Sequence, residues 1–276
     1  MLRLRVATAL VLLFVLVGAL AWSAVAFGIV AAAISGAAVY EWLRLCGHGF
    51  RTSVAVGVAC ALLGALAADP ASPPSRDVAA VICGCGALAW IGIGIVVLRH
   101  RTTAAAPLPR ALTSLLGALL LAAVWSSLRE LLRAGPVMLV SAMALVWIAD
   151  IAAYFAGRAF GRRKMAPAIS PGKTWAGAAG ALVAVWMAAV AVRYGLPSLD
   201  VFSSRLVQAL GLLPALLALA VIVALAIVGD LFESLLKRQA GVKDSSRLLP
   251  GHGGVLDRID ALLPVLPCAA LVLRWL

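Results

Sequence analysis

Nine apolar segments, at about 6–21, 24–43, 53–68, 78–98, 111–126, 136–156, 175–194, 208–229 and 261–274, follow one another with only short breaks of charge, Pro and Gly between them. A hydrocarbon core is crossed by roughly 17–25 helical residues. A backbone inside it must satisfy its own amides and carbonyls, which leaves helices or a closed barrel. Alternating barrel strands are absent, so the expectation is an all-α, polytopic transmembrane helix bundle of about nine spans. The third and fifth segments are short and alanine-rich, and eight spans is the alternative count. Composition agrees, with 64% hydrophobic and 12% charged residues and a mean hydropathy of +1.09, where soluble domains carry about a quarter charged residues. No internal repeat and no stretch of soluble-domain composition appears, so 1–276 reads as a single integral membrane domain. Within it, 1–135 are mainly structural spans, 136–260 are the half with the polar loops, and 261–276 are the last span.

The net charge of +12 would suggest a nucleic-acid partner in a soluble protein, but its placement excludes that reading. With a cytoplasmic N-terminus, the inner side receives Arg3, Arg5, Arg44, Arg51, Arg99, Arg101, Arg110, Arg158, Arg162, Arg163, Lys164, Lys173, Lys237, Arg238, Lys243, Arg247 and Arg258, which is 17 of the 23 Lys and Arg residues. The outer side receives Arg76, Arg129, Arg133, Arg193, Arg205 and Arg274. This bias predicts the N-terminus inside and, with nine spans, the C-terminus outside. The excess is then attraction to lipid headgroups, with no nucleic acid bound. The N-terminal MLRLRVATALVLLFVLVGALAWSA imitates a secretory signal, but the apolar run behind it suits a retained first span. Five cysteines, Cys46, Cys60, Cys83, Cys85 and Cys268, sit mostly in apolar segments and form no metal or disulfide framework. The loop Asp69–Asp77 is a stiff, polar connector with no chemical signal.

Two stretches break the apolar pattern in a way that points to chemistry. In LVWIADIAAYFAGRAFG an acid, Asp150, lies within a span, where ionised carboxylates are costly and usually functional. Tyr154, Gly157 and Gly161 share its helical face, and a buried structural ion pair is the alternative. Beyond Arg158, Arg162, Arg163 and Lys164 comes Ser170-Pro171-Gly172-Lys173-Thr174. Its ending imitates a phosphate-binding P-loop, but Pro167 stands where that motif needs glycine. What remains is a backbone turn opening a helix, whose free amides and Lys173 can receive phosphate oxygens.

The second stretch, SLLKRQAGVKDSSRLLPGHGGVLDRID from Ser234 to Asp260, gathers charge, glycine and proline as no other part of the chain does. Just before it, Asp230 and Glu233 share a helical face with Ser234 and Lys237. Lys237, Arg238, Lys243, Arg247 and Arg258 alternate with Asp244, Asp257 and Asp260, the mixture that holds a polyphosphate together with its neutralising cation. Hard oxygen ligands imply Mg2+, with room for a second metal ion. A purely structural ion-pair network is the competing explanation. Gly251, Gly253 and Gly254 around His252 allow close backbone approach to a phosphate. His252 is given a hydrogen-bonding role, since a phosphate monoester is already largely ionised near neutral pH and needs little deprotonation.

The order of Ser234, Lys237-Arg238, Lys243-Asp244, Pro250, His252-Gly253-Gly254 and Asp257-Arg258-Ile259-Asp260 resembles the signature of the phosphatidate cytidylyltransferase family, membrane enzymes that make CDP-diacylglycerol. Asp150 followed by Gly157-Arg158 and Ser170–Thr174 looks like a second block of the same pattern. The resemblance spans roughly 147–260, and it implies transfer of CMP from CTP to phosphatidate with release of pyrophosphate in phospholipid biosynthesis. It also implies a bacterial plasma or inner membrane location with the site facing the cytoplasm. By resemblance and residue type, Asp230 and Asp257 are expected as metal ligands with Asp244 and Asp260 beside them. Lys243, Asp244, Asp257, Asp260 and Asp150 are expected as catalytic residues, Asp150 at the membrane-side access. Ser170, Lys173, Thr174, Ser234, Lys237, Arg238, His252, Gly253, Gly254 and Arg258 are expected to bind substrate. CTP, phosphatidate and membrane lipid are the expected partners, and a homodimer is left open. A related transferase acting on another lipid phosphate, and a secondary transporter of an anionic solute, are the rival functions. The transporter lacks the internal repeats that such folds usually carry.

Overall fold

A computed structural model describes residues 2–70, 75–100 and 108–276. Part of the expected 69–77 connector (71–74) and Arg101 lie outside the described residues, as do the side chains of Arg3, Arg5, Arg99 and His100. Every expected apolar segment is helical. The chain runs α1 (Leu2–Trp22), α2 (Ala24–Leu45), α3 (Phe50–Leu66), α4 (Arg76–His100), α5 (Arg110–Arg133), α6 (Pro136–Phe160), β1 (Lys164–Ala166), β2 (Ser170–Thr174), α7 (Trp175–Gly195), α8 (Phe202–Leu210), α9 (Leu212–Gln239), α10 (Leu256–Ile259) and α11 (Leu262–Trp275).

Among the described residues six helices, α2, α4, α5, α6, α7 and α9, are long and apolar enough to cross a membrane. The apolar stretches Leu10–Trp22, Phe50–Leu66 and Leu262–Trp275 are shorter. The apolar segment expected at 208–229 is divided differently. The chain turns at Gly211, with φ of 82°, between the short amphipathic α8 and the 28-residue α9. Helix α8 buries Phe202, Leu206 and Val207, and its residues before 208 were not expected to be helical.

The turn expected at 170–174 is a small antiparallel hairpin, with Lys164 opposite Thr174 and Ala166 opposite Ser170. Met165, Ala166 and Ile169 bury its apolar side against the bundle. Thr174 then caps α7, its hydroxyl accepting from Gly177 N at 3.0 Å, as a helix start requires.

Three aromatic rings lock the helices beneath the polar end of the bundle. Phe232 of α9 packs edge-on to Trp90 of α4 at 5.7 Å between centroids and tilted against Trp42 of α2 at 6.1 Å. Trp42 Nε1 donates to Thr113 O of α5 at 3.0 Å. The residues just before Trp42 and just after Phe232 are Glu41 and Glu233, both buried, so this core fixes where two acids emerge. Gly229 lets the α10–α11 junction lie against α9: a β-carbon there would meet Pro264 at 2.9 Å and the Asp260 carbonyl still closer.

Candidate active site

The polar residues gather at one end of the bundle, where α2 and α9 end, the hairpin folds over and the chain turns from α9 into α10. They form three connected groups.

The first is a cavity of about 670 Å3 lined by Lys243, Asp244, Ser246, Arg247, Leu249, Pro250, Gly251, His252, Gly253 and Arg258. The tip of its loop is closed by the Leu249–Gly253 bridge, with N–O distances of 2.9 and 3.1 Å. Arg258 donates to His252 O at 2.7 Å, which ties α10 to the glycine turn. The buried Nδ1 of His252 has no hydrogen-bond partner among the described residues. Three fixed cations and a free imidazole nitrogen around a polar cavity suit an anionic ligand.

The second group surrounds Lys173. Its ammonium stands 2.7 Å from Asp230 Oδ2 and donates to Ile227 O at 3.3 Å. Ser234 Oγ donates to Asp230 Oδ1 at 3.3 Å. The carboxylates of Asp150 and Asp260 both feel the charges of Asp230 and Lys173. Burial, with the Asp230 charge added, pushes Asp260 well above the usual carboxylate range. Asp150 lies on the outer face of α6. One turn on, Tyr154 and Arg158 continue that face, with Arg158 NH1 3.4 Å from the Tyr154 hydroxyl.

The third group joins the other two. Lys237 stands 2.5 Å from Glu233 Oε2 and 2.5 Å from Asp257 Oδ1. Asp257 Oδ2 accepts from Ser245 N at 2.9 Å, Ser245 Oγ at 2.8 Å and Gly254 N at 2.7 Å. Burial raises the Asp257 pKa, but the Lys237 ammonium and the Gly254 and Ser245 amides outweigh it and hold the carboxyl at about 2. Glu41 of α2 reaches the same loop, accepting from Ser246 Oγ at 2.5 Å and Val255 N at 2.9 Å on Oε1, and from Ser245 Oγ at 3.0 Å and Leu256 N at 2.6 Å on Oε2. Gly254 admits this approach: a β-carbon there would sit 2.6 and 2.7 Å from the Glu41 oxygens.

Sequence reasoning therefore located the residues of the cavity and of the Lys173 group but missed Glu41, Ser245 and Ser246. Glu41 carried the signal that singled out Asp150, a lone acid in an apolar span. Three expected substrate binders belong to none of these groups. Arg238 is exposed at the end of α9 and reaches Val242 O at 3.4 Å. Thr174 is buried as the α7 cap, and Ser170 opens strand β2. The four expected metal ligands are divided: Asp230 and Asp260 in the Lys173 group, Asp257 on Lys237, and Asp244 in the cavity wall. Among the described residues no three His, Cys, Asp or Glu side chains are placed together to hold a metal. The donors are nevertheless hard carboxylates that suit Mg2+. Lysine ammoniums occupy the cation positions beside Asp230 and Asp257.

The family model described as the cytidylyltransferase family matches residues 3–276. A phosphatidate cytidylyltransferase of Pseudomonas aeruginosa is 39% identical over 99% of this chain and 97% of its own length. Those of Haemophilus influenzae and Thermotoga maritima are 45% and 41% identical over 48% and 47% of this chain, covering 44% and 46% of their own lengths. With a family match over nearly its whole length and a relative aligned from end to end, the chain belongs to the cytidylyltransferase family.

Proposed function

We propose that this protein transfers CMP from CTP to phosphatidate, giving CDP-diacylglycerol and pyrophosphate. What supports the reading is the placement of a cation-lined cavity of about 670 Å3 beside a carboxylate group at the polar end of a membrane bundle. A water-soluble nucleotide and a lipid phosphate can meet there. A phosphate oxygen of the lipid attacks the α-phosphorus of CTP, the bond from that phosphorus to the bridging oxygen breaks, and pyrophosphate leaves with the electron pair. Little proton transfer is needed, so positioning and charge carry the catalysis.

Lys243, Arg247 and Arg258 hold the triphosphate in the cavity, where the glycine turn brings backbone close to it and His252 Nδ1 supplies one more polar contact. Lys173 and Lys237 reach the reacting phosphates from the carboxylate side. Asp150, Tyr154 and Arg158, along the outer face of α6, guide the lipid headgroup in from the bilayer. Asp230 and Asp257 would hold Mg2+, with Asp260 and Asp244 next to them; Asp257 would use Oδ1, because the amides of Ser245 and Gly254 already occupy Oδ2. When bound, the ion supplies charge neutralisation for the departing pyrophosphate.

The sidedness of Lys and Arg supports a cytoplasmic position for this end of the bundle, on the side of a bacterial inner membrane where CTP is found. Purified protein in detergent, given labelled CTP, phosphatidate and Mg2+, is expected to produce lipid-extractable nucleotide. Chelation should abolish the product and added Mg2+ restore it. Label remaining wholly water-soluble with active Mg2+ present would refute the reaction.

A further inference from the structure

Glu41 is fully buried in α2, where an ionised side chain is costly unless every lone pair is engaged. Here four donors lie at 2.5–3.0 Å, the Ser245 hydroxyl among them sharing its single proton with Asp257 Oδ2. None of them belongs to α2 or to a neighbouring span. They are the hydroxyls of Ser245 and Ser246, where the cavity loop begins, and the amides of Val255 and Leu256, where it ends. Between these points run Arg247, Leu249, Pro250, Gly251, His252 and Gly253, all lining the cavity. One carboxylate therefore draws the two ends of the loop together, and the Leu249–Gly253 bridge closes its tip.

We propose that Glu41 is a positioning residue for nucleotide binding: by clamping both ends of the 245–256 loop it sets the cavity in its ligand-ready shape before CTP arrives. Held by these donors and fully buried, Glu41 touches no substrate itself. Its effect is exerted through the loop, because a loop already ordered does not have to lose its freedom when the ligand binds. Helix α2 thereby belongs to the nucleotide site, although the first half of the chain reads from sequence as structural packing. The inference rests on the cavity being the CTP site.

The test is equilibrium binding of labelled CTP with Mg2+ to purified, monodisperse full-length protein in detergent without lipid, with transfer to phosphatidate followed separately. In Glu41→Gln one oxygen becomes an amide NH2 that must face a backbone N–H of Val255 or Leu256, so the clamp opens with size conserved. The expected result is a CTP Kd raised at least tenfold per folded protein, with KM for phosphatidate within about twofold of the parent. Ser246→Ala should raise the Kd about three- to fivefold, and the double variant should be no weaker than Glu41→Gln alone, since the two act through one contact. A folded Glu41→Gln protein with CTP affinity within twofold of the parent overturns the proposal, as does full additivity in the double variant. If Glu41→Gln yields no folded protein, Ser246→Ala decides, and unchanged CTP affinity there overturns it equally. A parent that binds CTP but does not transfer to phosphatidate would refute the proposed reaction while leaving the Glu41 measurement intact. A parent that binds no CTP would refute both.

Discussion

Asp257→Asn is expected to destabilise the protein and to abolish cytidylyl transfer in whatever remains folded, and the two losses can be measured apart. The carboxylate is 6% exposed and paired with Lys237 at 2.5 Å. Its folded pKa of about 2 lies below the ordinary carboxylate value of 3.8, which corresponds to about 2 kcal/mol of stability. Because the folded value is the lower one, this stabilisation is present above about pH 4 and is lost as the pH falls through about 2. Asparagine forfeits it at neutral pH and adds a second cost. Its NH2 must face either the Lys237 ammonium or the amides of Ser245 and Gly254, and a buried donor facing donors costs about 1–3 kcal/mol. Taking the lower end of that range, the total is about 3 kcal/mol. For a chain of this size that is a fall of roughly 6–12 °C in thermal midpoint. The assay is thermal unfolding in detergent together with turnover per monodisperse, folded protein across an Mg2+ and Mn2+ series. A midpoint within about 2 °C of the parent would refute the account of Asp257 as the hub of the loop. Turnover of the folded fraction within about threefold would refute its part in transfer and shift the metal assignment to Asp230 and Asp244.

Lys173→Ala removes the ammonium 2.7 Å from Asp230; the rate at subsaturating CTP should fall about tenfold to a hundredfold, the equivalent of roughly 1.5–3 kcal/mol, and an unchanged rate would take Lys173 out of the site. Gly254→Ala sets a methyl 2.6 and 2.7 Å from Glu41 oxygens that four donors hold in place, so transfer should drop more than about a hundredfold. Gly84→Ala, with nothing within 4 Å of the added carbon, should keep parental activity, and equal activity of the two variants would refute the close-approach argument. Single cysteines at Ser198 and Leu248 of a cysteine-free variant should be labelled from opposite sides of the membrane, and labelling of both by an impermeant outside reagent would overturn the orientation.

The helical segments were legible because hydropathy over some twenty residues is a strong signal and the bilayer leaves the backbone few options. What hydropathy cannot resolve is where a helix breaks or how far it continues. The run 208–229 is uniformly apolar, yet the chain turns at Gly211 because that residue has φ of 82°. Helix α9 continues past the apolar run to Gln239 because Asp230 and Lys237 find partners on other elements, Lys173 and Asp257. The hairpin at 164–174 was hidden for a related reason. Its strands are three and five residues long, too short for an alternation to register, and its stability comes from seating Met165, Ala166 and Ile169 on the bundle. Within the site, residue types were legible and partnerships were not: sequence order gives no sign that Glu41 stands more than 200 positions from the amides it caps.

The pairing of charges explains why acids and bases alternate so closely in this stretch. Removing one partner of a buried ion pair leaves an uncompensated charge at a cost of about 3–5 kcal/mol, so a site of only carboxylates or only lysines would be unstable without its ligand. Here Lys173 neutralises Asp230, and Lys237 stands between Glu233 and Asp257. On the proposed reaction, arrival of a triphosphate with its cation exchanges partners: ammoniums turn to phosphate oxygens and carboxylates to the metal. The fixed members of the site are then those that cannot exchange, Glu41 and Oδ2 of Asp257, whose donors are mostly backbone amides and buried hydroxyls. The movable members are the two lysines, whose flexible stems and single compact charges suit a change of partner. Arginine at either position would hold a carboxylate through a planar fork and resist the exchange. That is a physical reason for lysine, and not arginine, at 173 and 237.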